Sequence, residues 1–395
     1  MAVTTQGGRR QHIVFWRDQR LRSVFFQIVV AAGLAAFIAF IVHNTATNLE
    51  HRGLSTGFGF LSHPAGFDIS VTLLPYNTTT STYARAYVIG LLNTLMVGAV
   101  CVVIATLWGF VLGVLRLSRN WLMARLAAIY VDGIRNIPLL LQLLFWYATL
   151  KSLPSLRQSL ALGTGFFLNQ RGLYSPAPVF GPGFVAIPVA LVVGVAAAVG
   201  VSLWARRRQR KAGQQFHSFW VGLALIVGLP LLAAAATGFP ITFDYPVLKG
   251  FNFSGGAVIL PEFIALALAL SLYTAAFIAE IVRAGILSVS HGQTEAASAL
   301  GLRPGHTTRL IIIPQALRVI VPPLTSQYLN IVKNSSLAVA IGYPDLVNVF
   351  TGTVLNQTGK AIECVTITML TYGAISLLIS LVMNWYNRRV MLVER

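Results

Sequence analysis

The stretch best equipped to handle a small polar molecule is Asn330-Ile331-Val332-Lys333-Asn334-Ser335-Ser336. In a helix, Asn330, Lys333, Asn334, Ser335 and Ser336 fall within two turns and cluster. Amide and hydroxyl groups both donate and accept hydrogen bonds, so such a cluster can hold the ammonium and the carboxylate of an amino acid without a fixed countercharge. Lys333 adds one cation, although its long stem also lets the ammonium snorkel or pair with a neighbour. Pro322-Pro323, just before the cluster, removes backbone donors and predicts a kink. A second set of residues is ionic. Asp132 and Arg135 stand i,i+3, as do Glu280 and Arg283, a spacing that brings partners together on one helix face. For each pair a structural salt bridge competes with a functional part: Arg135 as an attractor for a substrate carboxylate, Glu280 as a gating group. Enzyme chemistry has no such foothold. There is no HExxH, no metal-ligand spacing and no GxxxxGK[ST] phosphate loop, so the chain is expected to bind no cofactor or metal. Any ATP must be hydrolysed by a partner. Cys101 and Cys364 lie in apolar segments and read as small buried hydrophobes.

The elements that position these residues belong in a membrane. The chain has 395 residues, 56% of them hydrophobic and 10% charged, whereas a soluble domain carries about 25% charged residues. A helix needs about 20 apolar residues to cross the hydrocarbon layer. Eight segments qualify, at roughly 24–42, 87–115, 126–150, 184–204, 217–237, 259–282, 315–338 and 364–386. With the N-terminus inside and eight crossings, 20 of the 29 Lys and Arg fall in cytoplasmic pieces and 7 in outer loops. That bias places both termini in the cytoplasm. It also accounts for the net charge of +18 without nucleic acid. The first segment follows a basic stretch and could be a cleaved signal peptide, but its 19 apolar residues favour an uncleaved anchor. Outer stretches such as Tyr174-Ser175-Pro176-Ala177-Pro178 and Gly181-Pro182-Gly183 read as ordered loops or lids. The basic turn Arg206–Lys211 reads as a topology anchor rather than a lipid-recognition site.

Between the sixth and seventh segments, residues 283–314 read as two short helices. Ser290-x-x-Gln293 is a capping-box pattern that starts a helix. Residues 291–300 supply helix formers, and Gly301 suits the left-handed position that ends one. Pro304 suits the first turn of a second helix, and Pro314 is expected to limit its end. Each helix is too short to span a bilayer, so the pair should lie at the cytoplasmic surface.

Glu295-Ala296-Ala297, then Gly301, then Ile311-Ile312-Ile313-Pro314 resembles the EAA loop of ATP-binding-cassette importers, with Ile313 where Leu is usual. The resemblance extends to Gly90-Leu91-Leu92-Asn93-Thr94-Leu95, to Tyr130 through Gln142, to Ala279-Glu280-Ile281-Val282-Arg283-Ala284-Gly285-Ile286, and to Lys333-Asn334-Ser335-Ser336-Leu337. Together these motifs look like the polar amino acid permease family, the histidine/glutamate/glutamine type. The enlarged form is similar to the larger permease subunit of general L-amino acid transporters. The resemblance implies an all-α membrane protein of about eight transmembrane helices. Its type I importer core would have five helices, joined by an N-terminal helix and an inserted helical pair. It divides the chain into an anchor helix and periplasmic loop (1–86), a first core part (87–150), an insert (151–258) and a second core part (259–395). The coupling loop occupies 283–314 of that last part. Glu295, Ala296, Ala297, Gly301, Arg303 and Pro314 would couple to a cytoplasmic ATPase dimer that binds ATP and Mg. Arg135, Gln142, Glu280, Asn330, Lys333, Asn334, Ser335 and Ser336 would flank the substrate path. The other implied partners are a second homologous permease subunit, a periplasmic amino acid binding protein, an L-amino acid substrate and the lipid bilayer of the bacterial inner membrane. Family members with cationic substrates often have Asp after this Lys. Asn334 here suits neutral, acidic or broad substrates.

A gradient-driven secondary transporter is the main rival. It predicts inverted repeats and acidic groups at the span centres, and the chain has no repeat and few acids there.

Overall fold

The computed structural model describes residues 19–51, 57–214 and 216–390. Among these residues, seven helices are long and apolar enough to cross a membrane, or eight if one bent pair is a single span. They lie in α1 (Gln19–His51), α2 (Tyr83–Leu115), α5 (Ala186–Ala212), α6 (Ser218–Ala236), α7 (Pro261–Leu287), α10 (Ile313–Asn334) with its flanking turns, and α12 (Ala361–Val390). The bent pair replaces the straight third span expected at 126–150. It consists of α3 (Trp121–Asn136) and α4 (Leu139–Lys151), which meet at 104°. Pro138 disfavours helical backbone in the residue before it, and Ile137 is extended at φ −98°, ψ 127°.

One compact unit joins residues 19–51 and 57–89 to 349–371. Its core sets Phe60 beside Tyr83 and Phe350, with ring centroids 6.0 and 6.3 Å away. The Gly57 amide donates to Glu363 Oε1 at 2.7 Å, and Tyr83 donates to Gln357 Oε1 at 3.1 Å. These bonds fasten the loop after α1 to the start of α12, and the start of α2 to the short helix α11 (Leu355–Thr358).

The second unit, 90–348 with 372–390, is organised around α7. Small residues let α7 be approached closely. Ala265, Ala269, Ala275, Ala276 and Ala279 are all fully buried. Opposite them, Gly109 and Gly113 are spaced i,i+4 on α2. A Cβ on Gly109 would stand 2.6 Å from Ile278 Cβ, and one on Gly113 would stand 2.8 Å from the Ala279 carbonyl oxygen. Lipid tails are as apolar as leucine, so helices in a bilayer gain little from hydrophobicity and associate through this kind of backbone approach.

The insert at 151–258 contains the expected helical pair, and it also contains strands that the turn-rich composition concealed. Strands β1 (Leu160–Ala161), β2 (Phe167–Asn169), β3 (Gly172–Ser175) and β4 (Ala177–Phe180) precede α5. Strands β5 (Ile241–Asp244), β6 (Val247–Lys249), β7 (Asn252–Ser254) and β8 (Ala257–Ile259) follow α6. β4 pairs with β5 and β3 with β8, both antiparallel, so the two ends of the helical hairpin are zipped together. Runs of two to four residues interrupted by Pro and Gly leave no alternating pattern to read in advance.

Candidate functional site

The proposed coupling loop folds as a helix, a left-handed stop and a second helix. α8 (His291–Ala299) carries Glu295, Ala296 and Ala297. Leu300 caps it, and Gly301 follows at φ 73°. The Leu302 amide donates to the Ala297 carbonyl at 3.1 Å and the Gly301 amide donates to that of Ser298 at 2.9 Å. That bond pair is the Schellman closure of a helix. Nothing lies within 4 Å of a Cβ built on Gly301, so its demand for glycine is one of backbone conformation and not of space. Arg303 is the extended N-cap of α9 (Pro304–Thr307). Ala297 is buried, while Glu295, Ala296, Gly301, Arg303 and Leu300 are exposed, Leu300 at 80%. The hairpin therefore presents a knob with an apolar tip. Glu295 accepts from His291 Nδ1 at 3.0 Å, a surface contact that leaves its other oxygen outward.

Two local expectations need correction. Ser290 is the N-cap of α8, but its hydroxyl makes no capping bond; the partner expected in the capping box, Gln293, instead accepts from Gln315 Nε2 at 3.2 Å. Pro314 does not end the second helix. The chain passes from α9 through a π turn, Thr308–Ile312, straight into α10. The Ile313 amide reaches back five residues to Thr308, and this wider ladder makes room for a proline ring that would clash with the carbonyl four residues before it. The α8–α9 hairpin is thus joined to α10 without a break. Pro322 and Pro323 also lie inside the continuous helix.

α10 buries Ala316, Ile320, Val321, Leu324, Ile331 and Val332, and exposes Pro322, Ser326, Asn330 and Lys333 at near-helical spacing. Asn334 is half-buried beside this polar stripe. Ser335 does not join it, while Ser336 is half-buried like Asn334. Ser335 is fully buried and donates to the Val332 carbonyl at 2.7 Å, and Ser336 donates to that of Lys333 at 2.7 Å. Both hydroxyls satisfy carbonyls left open where the helix tightens after Asn334.

The ionic residues are arranged differently from their sequence spacing. Glu280 and Arg283 do pair, Arg283 Nη2 donating to Glu280 Oε1 at 2.5 Å. Asp132 does not pair with Arg135. Arg116 reaches between helices instead, bonding Glu280 through Nη1 and lying 3.5 Å from Asp132 through Nη2. Arg116 thereby links α2, α3 and α7. The available signal was its place at the end of α2, one short loop before the helix that carries Asp132. Arg135 lies over the Phe277 ring at 5.1 Å. Gln142 is buried, and its Nε2 donates to the carbonyls of Ile134 and Ile137 at 3.0 and 2.9 Å. Through these two bonds it staples the α3–α4 bend.

A buried carboxyl escaped sequence reading. Asp345 accepts from the Asn348 amide at 2.8 Å and from Tyr372 Oη at 3.2 Å. Burial pushes its pKa up to about 7. Next to it, Asn93 donates to the Pro344 carbonyl at 2.9 Å and Thr94 accepts from the Leu346 amide at 3.0 Å. The Asn-Thr pair of α2 thus holds the loop that follows the polar stripe.

A transmembrane bundle joined to a surface hairpin, without a nucleotide-binding motif of its own, describes the membrane part of an importer. The chain belongs to the binding-protein-dependent transport system inner membrane component family, whose model matches residues 105–391. It is 52% identical over 379 residues to the general L-amino acid transport system permease protein AapQ of Rhizobium johnstonii, covering 96% of this chain and 94% of that one. The putative amino-acid ABC transporter permease protein YhdX of Escherichia coli is 52% identical over 376 residues, 95% of each chain. The glutamate/glutamine/aspartate/asparagine transport system permease protein BztB of Rhodobacter capsulatus is 43% identical over 410 aligned residues, 96% of each.

Proposed function

We infer that this chain is the transmembrane permease subunit of an ATP-driven importer that brings L-amino acids across the bacterial inner membrane. Family membership together with end-to-end likeness to three amino acid permeases carries the reading. The chain is a transport component and not an enzyme. Hydrolysis of ATP with Mg belongs to a cytoplasmic ATPase dimer, and delivery belongs to a periplasmic amino acid binding protein. A second homologous permease subunit completes the pore against the exposed polar stripe of α10. Both termini lie in the cytoplasm, a reading supported by the distribution of basic residues. ATP closes the ATPase dimer and moves α8 and Gly301. The unbroken run from α9 into α10 transmits that movement to the stripe, and the pore reopens outward to receive substrate.

Affinity purification of the chain in mild detergent from its native membrane tests this. An ATPase and a second, shorter permease should accompany it, and the set placed in liposomes should take up amino acids only with ATP. ATP-independent uptake, or no ATPase recovered even after cross-linking, overturns the reading in favour of a gradient-driven carrier. Within the same assay, Asn334→Asp adds an anion beside Lys333. It should raise the ratio of arginine to glutamate uptake several-fold; an unchanged ratio removes Asn334 from the selectivity determinants.

A further inference from the structure

The α5–α6 hairpin ends in a basic turn that is more ordered than a topology anchor requires. Trp204 meets Phe216 edge to face across the turn, with ring centroids 5.4 Å apart. The Arg208 guanidinium lies 5.3 Å over Trp204 and donates from Nη2 to Gln214 Oε1 at 2.7 Å. Gly213, at φ 66°, closes α5 with its amide on the Gln209 carbonyl. A positive-inside signal acts through charge alone and needs none of this construction. The turn exposes Arg207, Arg208 and Lys211, and no Asp or Glu occurs anywhere from Ala186 to Ala236. The module therefore holds no carboxylate to neutralise its own cations.

Directly beyond the turn, a groove of about 450 Å³ runs between the two helices, lined by Val199, Ser202, Leu203, Ser218, Phe219 and Gly222 among others. Ala198 and Gly222 bring the helices together at its floor, where a Cβ on Gly222 would stand 3.5 Å from that of Ala198. Its walls are apolar, and its hydroxyls, Ser202 and Ser218, stand near the basic end. Arg207 follows Leu203 at i,i+4, which carries the cationic surface onto the groove side of α5. Cations, then hydroxyls, then an apolar channel match in order the phosphate, the glycerol ester region and the acyl chain of a phospholipid.

We propose that the α5–α6 hairpin is a binding site for one anionic phospholipid, with the phosphate on Arg207, Arg208 and Lys211 and an acyl chain in the groove. The test uses the full chain, purified in mild detergent and equilibrated with equal phosphatidylglycerol and phosphatidylcholine. Retained lipid is then counted by native mass spectrometry. Wild type should retain one phosphatidylglycerol in preference. The triple variant Arg207→Gln/Arg208→Gln/Lys211→Gln should lower that preference about a hundredfold, at about one basic residue's surface attraction each. Val199→Trp fills the groove while keeping every charge, and it too should abolish retention. Removing charges can invert a hairpin, so the reactivity of an Ala212→Cys probe checks the orientation of the triple variant. Equal retention of the two lipids by wild type overturns the site. So does phosphatidylglycerol binding that survives Val199→Trp, since it would mark a diffuse basic patch and not a built site.

Discussion

Replacing Gly301 with valine is expected to cut ATP-driven uptake by an order of magnitude while the chain remains inserted and folded. The reason is conformational. Gly301 holds φ 73° at the stop of α8, where the Leu302 and Gly301 amides close the helix on Ala297 and Ser298. An L side chain in this region costs about 1–2 kcal/mol, a factor of roughly 5–30, and a β-branched one costs more. Nothing nearby would clash with the new side chain. The cost is instead relieved by re-routing the bend, and that displaces the exposed Leu300 tip, which on the proposed function is the part that meets the ATPase. A graded series separates this cause from a simple loss of surface shape. Asparagine, which tolerates the left-handed region, should retain the most uptake; aspartate should be intermediate, its charge unfavourable at a helix C-terminus, and valine the worst. ATPase activity of the assembled complex should persist as uptake falls. Equal loss with all three substitutions would mean that the tip requires the absence of any side chain, and normal uptake with valine would remove the bend from the coupling path.

The second large effect is expected at the Arg116–Glu280–Arg283 cluster. Glu280 is shared between two guanidiniums, and its side chain is only 27% exposed. Glu280→Gln leaves Arg116 and Arg283 facing each other without their common anion. Breaking a fully buried pair costs about 3–5 kcal/mol, and partial solvent access here places the expected loss near the lower end, about 2–3 kcal/mol. Arg116→Gln should cost a similar amount, because it unties α2 from both Asp132 and Glu280. The double variant Arg116→Gln/Glu280→Gln should be less damaged than the sum of the single ones, by about 1 kcal/mol or more. Thermal unfolding of the detergent-solubilised protein reads the stability part. Uptake per ATP hydrolysed reads the mechanical part, since the cluster binds α2 and α3 to the end of α7 that leads into the proposed coupling hairpin. Additive losses in the double variant would show that the three residues do not act as one network.

How much of this was legible in the chain follows from the range of the interactions involved. The span count depends on about 20 apolar residues in a row, and the α8 stop depends on Gly301 and its immediate neighbours. Both are local, so sequence reading found them. The same local reasoning misjudged Pro314. A proline forbids the α-ladder at its own position, but a π turn one residue wider absorbs it, and nothing in the local residue types announces that turn. Ser335 and Ser336 have the chemistry for a substrate path, and each hydroxyl also donates to a carbonyl three residues back, a bond that their residue types alone do not reveal.

Sequence alone therefore determined the class of protein, most of the apolar segments and the helical hairpin with its stop at Gly301, because periodicity, punctuation and motif spacing all act within a few turns of chain. The tertiary structure decided which charges meet. Asp132 was spaced to pair with Arg135, but α2 packs through Gly109 and Gly113 closely enough to α7 that Arg116 takes both Asp132 and Glu280. It decided that Asn93 and Thr94 hold the loop at Asp345, and that strands distant in the chain zip the insert shut. Each of these depends on residues far apart in sequence arriving within a few ångströms. One chain's periodicity carries no record of such meetings.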